Sequence, residues 1–178
     1  MTAAPGWAIA RLDHAVLRRT RRLLGGTGAV PVAQALSHVG EHALGWIALG
    51  GAGWLSGRRR PEWRSAVTGV VAAHAAAVLV KRVVRRPRPT LPDVPPLVGT
   101  PSRLSFPSAH SCSTTAAAVG FAPLVGVPVT ASVAGAMVVS RVLLGVHYPS
   151  DVVAGSALGA AVALGVRRAT GRRGAVSR

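Results

Sequence analysis

A single cysteine, Cys112, occurs in 178 residues. That excludes an internal disulfide framework and any cysteine-built zinc site. Acids are also scarce. Asp13, Glu41, Glu62, Asp93 and Asp151 stand against 20 arginines and one lysine, Lys81, giving a net charge of +16. Aromatic residues amount to 4% although 49% of the chain is hydrophobic. So basic a balance points first to nucleic acid, but the hydropathy excludes it. The mean hydropathy is +0.40, and long uncharged runs of Ala, Val, Leu and Gly are flanked by Arg clusters. A soluble basic domain is polar all round, whereas cations bracketing apolar runs sit at a lipid surface. The expected partners are membrane lipids, not nucleic acid. No repeat and no second domain is visible. The opening, MTAAPGWAIARLDHAVLRRTRRLL, places no apolar core after its charges and is not read as a signal peptide.

The pattern predicts an all-α integral membrane bundle, multi-pass in the plasma membrane, in three parts. Residues 1–31 form a basic amphipathic segment. Its helix over 6–24 sets Trp7, Ile9, Leu12, Val16, Leu17 and Leu23 against five arginines, a spacing suited to lying in the interface. Residues 32–166 carry five short spans, and residues 167–178 are a basic tail. The first span, 32–55, is interrupted by Ser37, His38, Glu41 and His42. The second is 65–84. Residues 87–107 hold seven of the chain's 13 prolines, so no helix persists there. From Ser111 to Ser140 there is no charge, and the run exceeds one span of about 20 residues. Gly126-Val127-Pro128 divides it into two. The last span is 150–166. Spans rich in Gly and Ala pack closely.

Ionisable groups near a bilayer need a reason to be there. Three segments supply one. Lys81 is followed seven residues later by Arg88-Pro89. Phe106-Pro107-Ser108-Ala109-His110 opens the third span. Ser140-Arg141, His147 and Asp151 bridge the fourth and fifth. With five spans, all three segments fall on one membrane face. Such a set suits phosphoryl transfer. Lys81, Arg88 and Arg141 offer cations to phosphate oxygens, Arg as a planar fork and Lys as a point charge. Pro107 suits a first helical turn, which leaves the amides around Ser108–His110 free to cradle an anion. Of two histidines, one attacks phosphorus and the other protonates the leaving oxygen. Asp151 is spaced to hold the ring of His147. Taken singly, an Arg-rich flank is an anchor, a histidine at a helix end is structural, and a His four residues before an Asp arises by chance. The combination and its order are what carry the reading.

These motifs resemble those of the type 2 phosphatidic acid phosphatase superfamily, K-x6-RP, PSGH and SR-x5-H-x3-D. Only Ala109 departs, where the family has Gly; it keeps the amide but loses conformational freedom. The resemblance covers residues 81–151 by motif. It implies a helical bundle and a metal-independent, cofactor-free phosphatase with His147 as nucleophile, Asp151 as its partner and His110 as acid. Lys81, Arg88, Ser108, Ala109 and Arg141 then bind the phosphate. The segments LSHVGEHALGW, SFPSAHSCSTTAAA and SRVLLGVHYPSD are more narrowly similar to the small actinobacterial decaprenylphosphoryl-5-phosphoribose phosphatases. That similarity implies a polyprenyl-linked phosphoribose substrate on the way to cell-wall arabinan. Polyprenyl pyrophosphate, phosphatidate and phosphatidylglycerol phosphate are the alternative lipid phosphates.

His38-Val39-Gly40-Glu41-His42 also reads as H-x-x-E-H, an inverted zinc-peptidase pattern with both histidines on one helix face and Glu41 as base. No third ligand is evident. The preferred expectation is that His38, Glu41 and His42 border the phosphatase site; helix–helix hydrogen bonding is the ordinary alternative. A non-enzymatic basic membrane scaffold has no need of paired histidines and one lysine at motif spacing. Cys112 is read as a small packing residue.

Overall fold

The computed structural model describes the backbone of residues 5–176. Residues 1–4 and 177–178, at the outer limits of the two terminal segments, and the side chains of residues 5–7 and 172–176 lie outside the described residues. Within the described range the chain is helical, with one isolated bridge between Pro87 and Leu104. The helices are α1 (Pro5–Leu24), α2 (Ala29–Val39), α3 (Leu44–Leu55), α4 (Arg60–Val84), α5 (Ala109–Val125), α6 (Val127–Leu143) and α7 (Pro149–Val176). Two stretches, Arg60–Val84 and Pro149–Gly171, are long and apolar enough to cross a membrane; Val127–Leu143 is a shorter apolar helix.

Small residues set the packing. α5 lies at the centre, against α4, α6 and α7. Gly155 and Gly159, one turn apart on α7, face the α5 backbone. A Cβ on Gly155 would stand 2.5 Å from the Ser108 carbonyl oxygen, and one on Gly159 2.1 Å from that of Cys112. Only glycine permits so close an approach. The contact brings the start of α5 against the start of α7, where the Ser108 amide donates to the Asp151 carbonyl at 3.0 Å. Farther along α5, Phe121 is fully buried and stacks on Trp46 while tilting against Trp63. The buried thiol of Cys112 donates to the Ala73 carbonyl, a packing role.

One expectation needs correction. The first span is not continuous. His42 and Ala43 both adopt left-handed backbone, with φ of 51° and 61°, and a 3₁₀ turn over Glu41–Ala43 separates α2 from α3. Gly40 caps the end of α2, but neither left-handed residue is itself Gly or Pro. α7 runs on through the C-terminal Arg-rich stretch to Val176, because Arg and Ala are good helix formers. α1 also packs against the bundle. Leu17 is fully buried against Val142 and Val152, and Asp13 is 2% exposed. The division at Gly126 is as the pattern predicts, with φ 97° there and Pro128 in the first turn of α6.

Candidate active site

The end of α4, the start of α5 and the turn between α6 and α7 meet at one end of the bundle. They enclose a cavity of about 710 Å3, within the usual range for a ligand site. Lys81, Arg88, Ala109, His110, Arg141 and His147 all line it, so residues up to 66 apart in sequence share one wall. His38, Glu41 and His42 line it as well.

The cations are held by neutral oxygens rather than by acids. Lys81, 8% exposed, donates Nζ to the carbonyls of Leu104 at 2.9 Å and Ser105 at 3.2 Å. Arg88 donates Nε to the Ser102 carbonyl at 2.8 Å and Nη1 to the Val146 carbonyl at 2.6 Å. Burial brings Arg88 down to about 10, which leaves it charged at neutral pH. Arg141 is 2% exposed. Its Nε reaches only the Ser140 hydroxyl at 3.4 Å, and among the described residues its buried Nη2 has no partner. Buried charges are normally paired, so this guanidinium can pair with an anion that enters the cavity Arg141 lines.

His147 sits in the turn that Gly145 makes with φ of 70°, just before Pro149 starts α7. Its Nε2 is 3.2 Å from Arg88 Nη1. Its Nδ1 is 3.6 Å from Asp151 Oδ2, longer than a hydrogen bond, and this buried Nδ1 has no other partner among the described residues. Catalytic contacts of this kind commonly tighten only when substrate binds. Burial holds the imidazole below the ordinary histidine range against the pull of Asp151, so the ring is neutral at physiological pH. Asp151 is fully buried and fixed from two other sides: the Tyr148 amide donates to Oδ2 at 2.9 Å and Arg86 Nη1 to Oδ1 at 2.8 Å.

The second motif differs in detail from the expectation. Pro107 precedes the helix instead of occupying its first turn, and Ser108 is the N-cap. Its Oγ accepts from the Ser111 amide at 3.3 Å and the Ser111 hydroxyl at 3.0 Å. Fully buried, Ser108 does not line the cavity. The next two residues, Ala109 and His110, do line it. His110 Nε2 lies 3.1 Å from the Ser37 carbonyl, an oxygen that only accepts, so Nε2 carries a proton. A Cβ on Gly40 would touch His110 Cδ2 at 2.9 Å. With Nε2 and Cδ2 both turned to the α2 side, the Nδ1 edge faces the other way.

The zinc-peptidase alternative fails on geometry. The helix breaks between His38 and His42, so the two do not share a helical face. No three His, Cys, Asp or Glu side chains among the described residues come together as metal ligands.

Sequence reasoning missed a support layer behind Asp151. Asp13 of α1 accepts from the Ser150 amide at 2.9 Å, the Ser150 hydroxyl at 2.6 Å and Arg86 Nη2 at 2.8 Å. Arg86 thus bridges Asp13 and Asp151 while its guanidinium lies 4.0 Å above the Tyr148 ring. Arg86 and Ser150 lie inside or beside the motifs and were open to notice. Asp13 is far away in sequence, and only its being one of five acids marks it.

Several known proteins are similar to this chain in sequence or fold. The decaprenylphosphoryl-5-phosphoribose phosphatase of Mycolicibacterium smegmatis is 54% identical over 147 residues, covering 82% of this chain and 82% of that protein. The protein of the same name from Mycobacterium tuberculosis is 52% identical over 136 residues, 76% of this chain and 77% of its own length. The fold superposes with a TM-score of 0.77 on a transmembrane PAP2-type phosphatidylglycerolphosphate phosphatase from Bacillus subtilis, at 24% identity, over 93% of this chain and 87% of that one. The PAP2 superfamily profile matches residues 62–175, a range that contains all three motifs and the three helix ends that bring them together. The chain belongs to the PAP2 superfamily of phosphatases.

Proposed function

We propose that this chain is a multi-pass phosphatase of the plasma membrane that removes the 5-phosphate of decaprenylphosphoryl-5-phosphoribose through a phosphohistidine on His147. The observation that carries the chemistry is the excess of buried positive charge. Lys81, Arg88 and Arg141 line one cavity, and the nearby carboxylate of Asp151 is already taken by Arg86. A phosphate monoester dianion supplies the missing negative charge and matches the guanidinium forks. The amides of Ala109 and His110, at the N-terminus of α5, add donors for its oxygens.

The reaction then has two steps. The neutral Nε2 of His147 attacks phosphorus, and the bond to the sugar oxygen breaks. That oxygen leaves as an alcohol with a proton from His110, whose Nδ1 edge is the one not turned to α2. The arriving dianion favours the protonated form of that imidazole. Asp151 accepts from Nδ1 of His147 and stabilises the positive charge that develops on the ring. Water then attacks the phosphohistidine with His110 as base, releasing inorganic phosphate and free His147.

The same architecture supports five crossings, made by α2 with α3, then α4, α5, α6 and α7, with α1 packed alongside. The substrate rests on the two mycobacterial relatives, each matched over about three quarters or more of both chains. The test is phosphate release from decaprenylphosphoryl-5-phosphoribose, polyprenyl pyrophosphate, phosphatidate and phosphatidylglycerol phosphate. The first should show the highest kcat/KM. A higher value for any of the others overturns the substrate assignment.

A further inference from the structure

Beyond the phosphate-binding end, the cavity has an inner wall for which phosphoryl transfer has no use. It is formed by His38, Glu41 and His42, at the break between α2 and α3, and by His74 of α4. On the reading above, we propose that this wall is a subsite for the sugar of a sugar phosphate monoester. Glu41 and the imidazoles receive its hydroxyl groups while the phosphate sits against Lys81 and Arg88.

The backbone is the first reason. His42 and Ala43 take left-handed conformations in succession, at a cost of about 1–3 kcal/mol each. An uninterrupted apolar helix would avoid that cost. The break sets Glu41 and His42 on the cavity wall in place of a continuous helix face.

Unmet polar capacity is the second. Nδ1 of His74 is buried and has no hydrogen-bond partner among the described residues, in a bundle whose other buried polar atoms are mostly satisfied. The His42 and His74 rings lie 6.2 Å apart between centroids, so the two elements present their imidazoles side by side. The Glu41 carboxylate makes no hydrogen bond or ion pair among the described residues. A free carboxylate beside imidazoles is a set of acceptors and donors suited to a polyol. One metal ion does not fit, because no three of these groups converge as ligands.

Position is the third. His74, Val78 and Lys81 all line the cavity at helical spacing along α4. His74 is therefore two turns, about 10 Å, inward of the phosphate-binding lysine. A group attached to the phosphate and reaching inward along α4 passes Val78 and then meets His74. A diacylglycerol there would strand Glu41 and His74 without partners; a pentose supplies hydroxyls to both.

The test compares substrates in one set of variants. Kinetics of Glu41→Gln and His74→Phe are measured on decaprenylphosphoryl-5-phosphoribose and on phosphatidate. The ratio of kcat/KM between the sugar-bearing and sugar-free substrates should fall roughly ten- to hundred-fold in each variant. Parallel losses on both substrates, or no loss on either, overturn the subsite. Competition in the unaltered enzyme is independent of variant folding: ribose 5-phosphate should inhibit at least about ten-fold more tightly than inorganic phosphate, and equal inhibition also overturns it. A wild-type enzyme inactive on the sugar substrate would instead refute the functional reading itself. Activity there with unaltered selectivity in the variants refutes the subsite alone.

Discussion

Removing the Asp13 carboxylate tests whether α1 belongs to the catalytic apparatus. Asp13 is almost fully buried and accepts three hydrogen bonds at 2.6–2.9 Å, two from Ser150 and one from Arg86. Asp13→Ala leaves the Ser150 amide without its acceptor at the first turn of α7 and strips Arg86 of one of its two carboxylates. Breaking a buried ion pair costs about 3–5 kcal/mol when the remaining charge is stranded. Arg86 is not stranded, since it keeps Asp151, stacks on Tyr148 and is 26% exposed. We therefore place the cost at about 2–4 kcal/mol, on the order of 5–15 °C in melting temperature for a chain of this length. The catalytic effect passes through Asp151, whose Oδ1 is fixed by the same guanidinium. A loosened Asp151 aligns His147 less well, so kcat should fall about ten-fold or more while KM changes little. Asp13→Asn, which keeps the shape but loses the charge, should lie between Ala and wild type on both scales. The assays are thermal unfolding in detergent and steady-state phosphate release. An Asp13→Ala protein that melts and turns over like wild type refutes the reasoning, and α1 is then only a surface helix.

Other outcomes follow from the same geometry. Gly159→Ala should destabilise the protein by about 1–3 kcal/mol despite the better helix propensity of Ala, because the new Cβ meets the Cys112 carbonyl oxygen at 2.1 Å and backbone cannot swing aside; thermal melting measures this. Lys81→Arg should preserve the fold and cut kcat/KM by roughly ten-fold, since the ammonium fits between the Leu104 and Ser105 carbonyls where a planar fork does not; kinetics on the lipid substrate decide it. The pH profile of kcat/KM reports the free enzyme. Burial lowers the pKa of His147, so the neutral nucleophile persists as pH falls below the ordinary histidine range, and its acid limb should lie on the acid side of about 6.5.

Much of this site was legible because its parts are short and their spacing is rigid. A lysine seven residues before Arg-Pro, and a histidine four before an aspartate, fix which ends of which helices must meet. The proline-rich stretch 87–107 and Gly126 announced the loop and the division of the uncharged run through backbone chemistry alone. At the break only Gly40 hinted at a helix end; the left-handed backbone of His42 and Ala43 is imposed by tertiary context on residues that do not favour it. Asp13 was illegible for another reason. On a basic amphipathic helix one acid looks solvated, and nothing local shows that Ser150 and Arg86 will fold onto it. Ser108 was misplaced by one structural role. The motif marks the residue, but the backbone decides whether its hydroxyl faces the cavity or caps the helix, and here it caps. Gly155 and Gly159 were read only as part of a Gly-rich span; which glycines touch α5 depends on the rotation of α7.

The central claim is a covalent bond between phosphorus and His147, and one measurement addresses it directly. The enzyme is mixed briefly with substrate labelled in the scissile phosphate, quenched in alkali, and digested for mass spectrometry. The account predicts an acid-labile, alkali-stable phosphoryl group on the peptide containing His147, absent from His147→Ala and formed more slowly in His110→Ala, which lacks the acid for the leaving oxygen. Label on another residue, or full turnover by the His147→Ala enzyme, would contradict it.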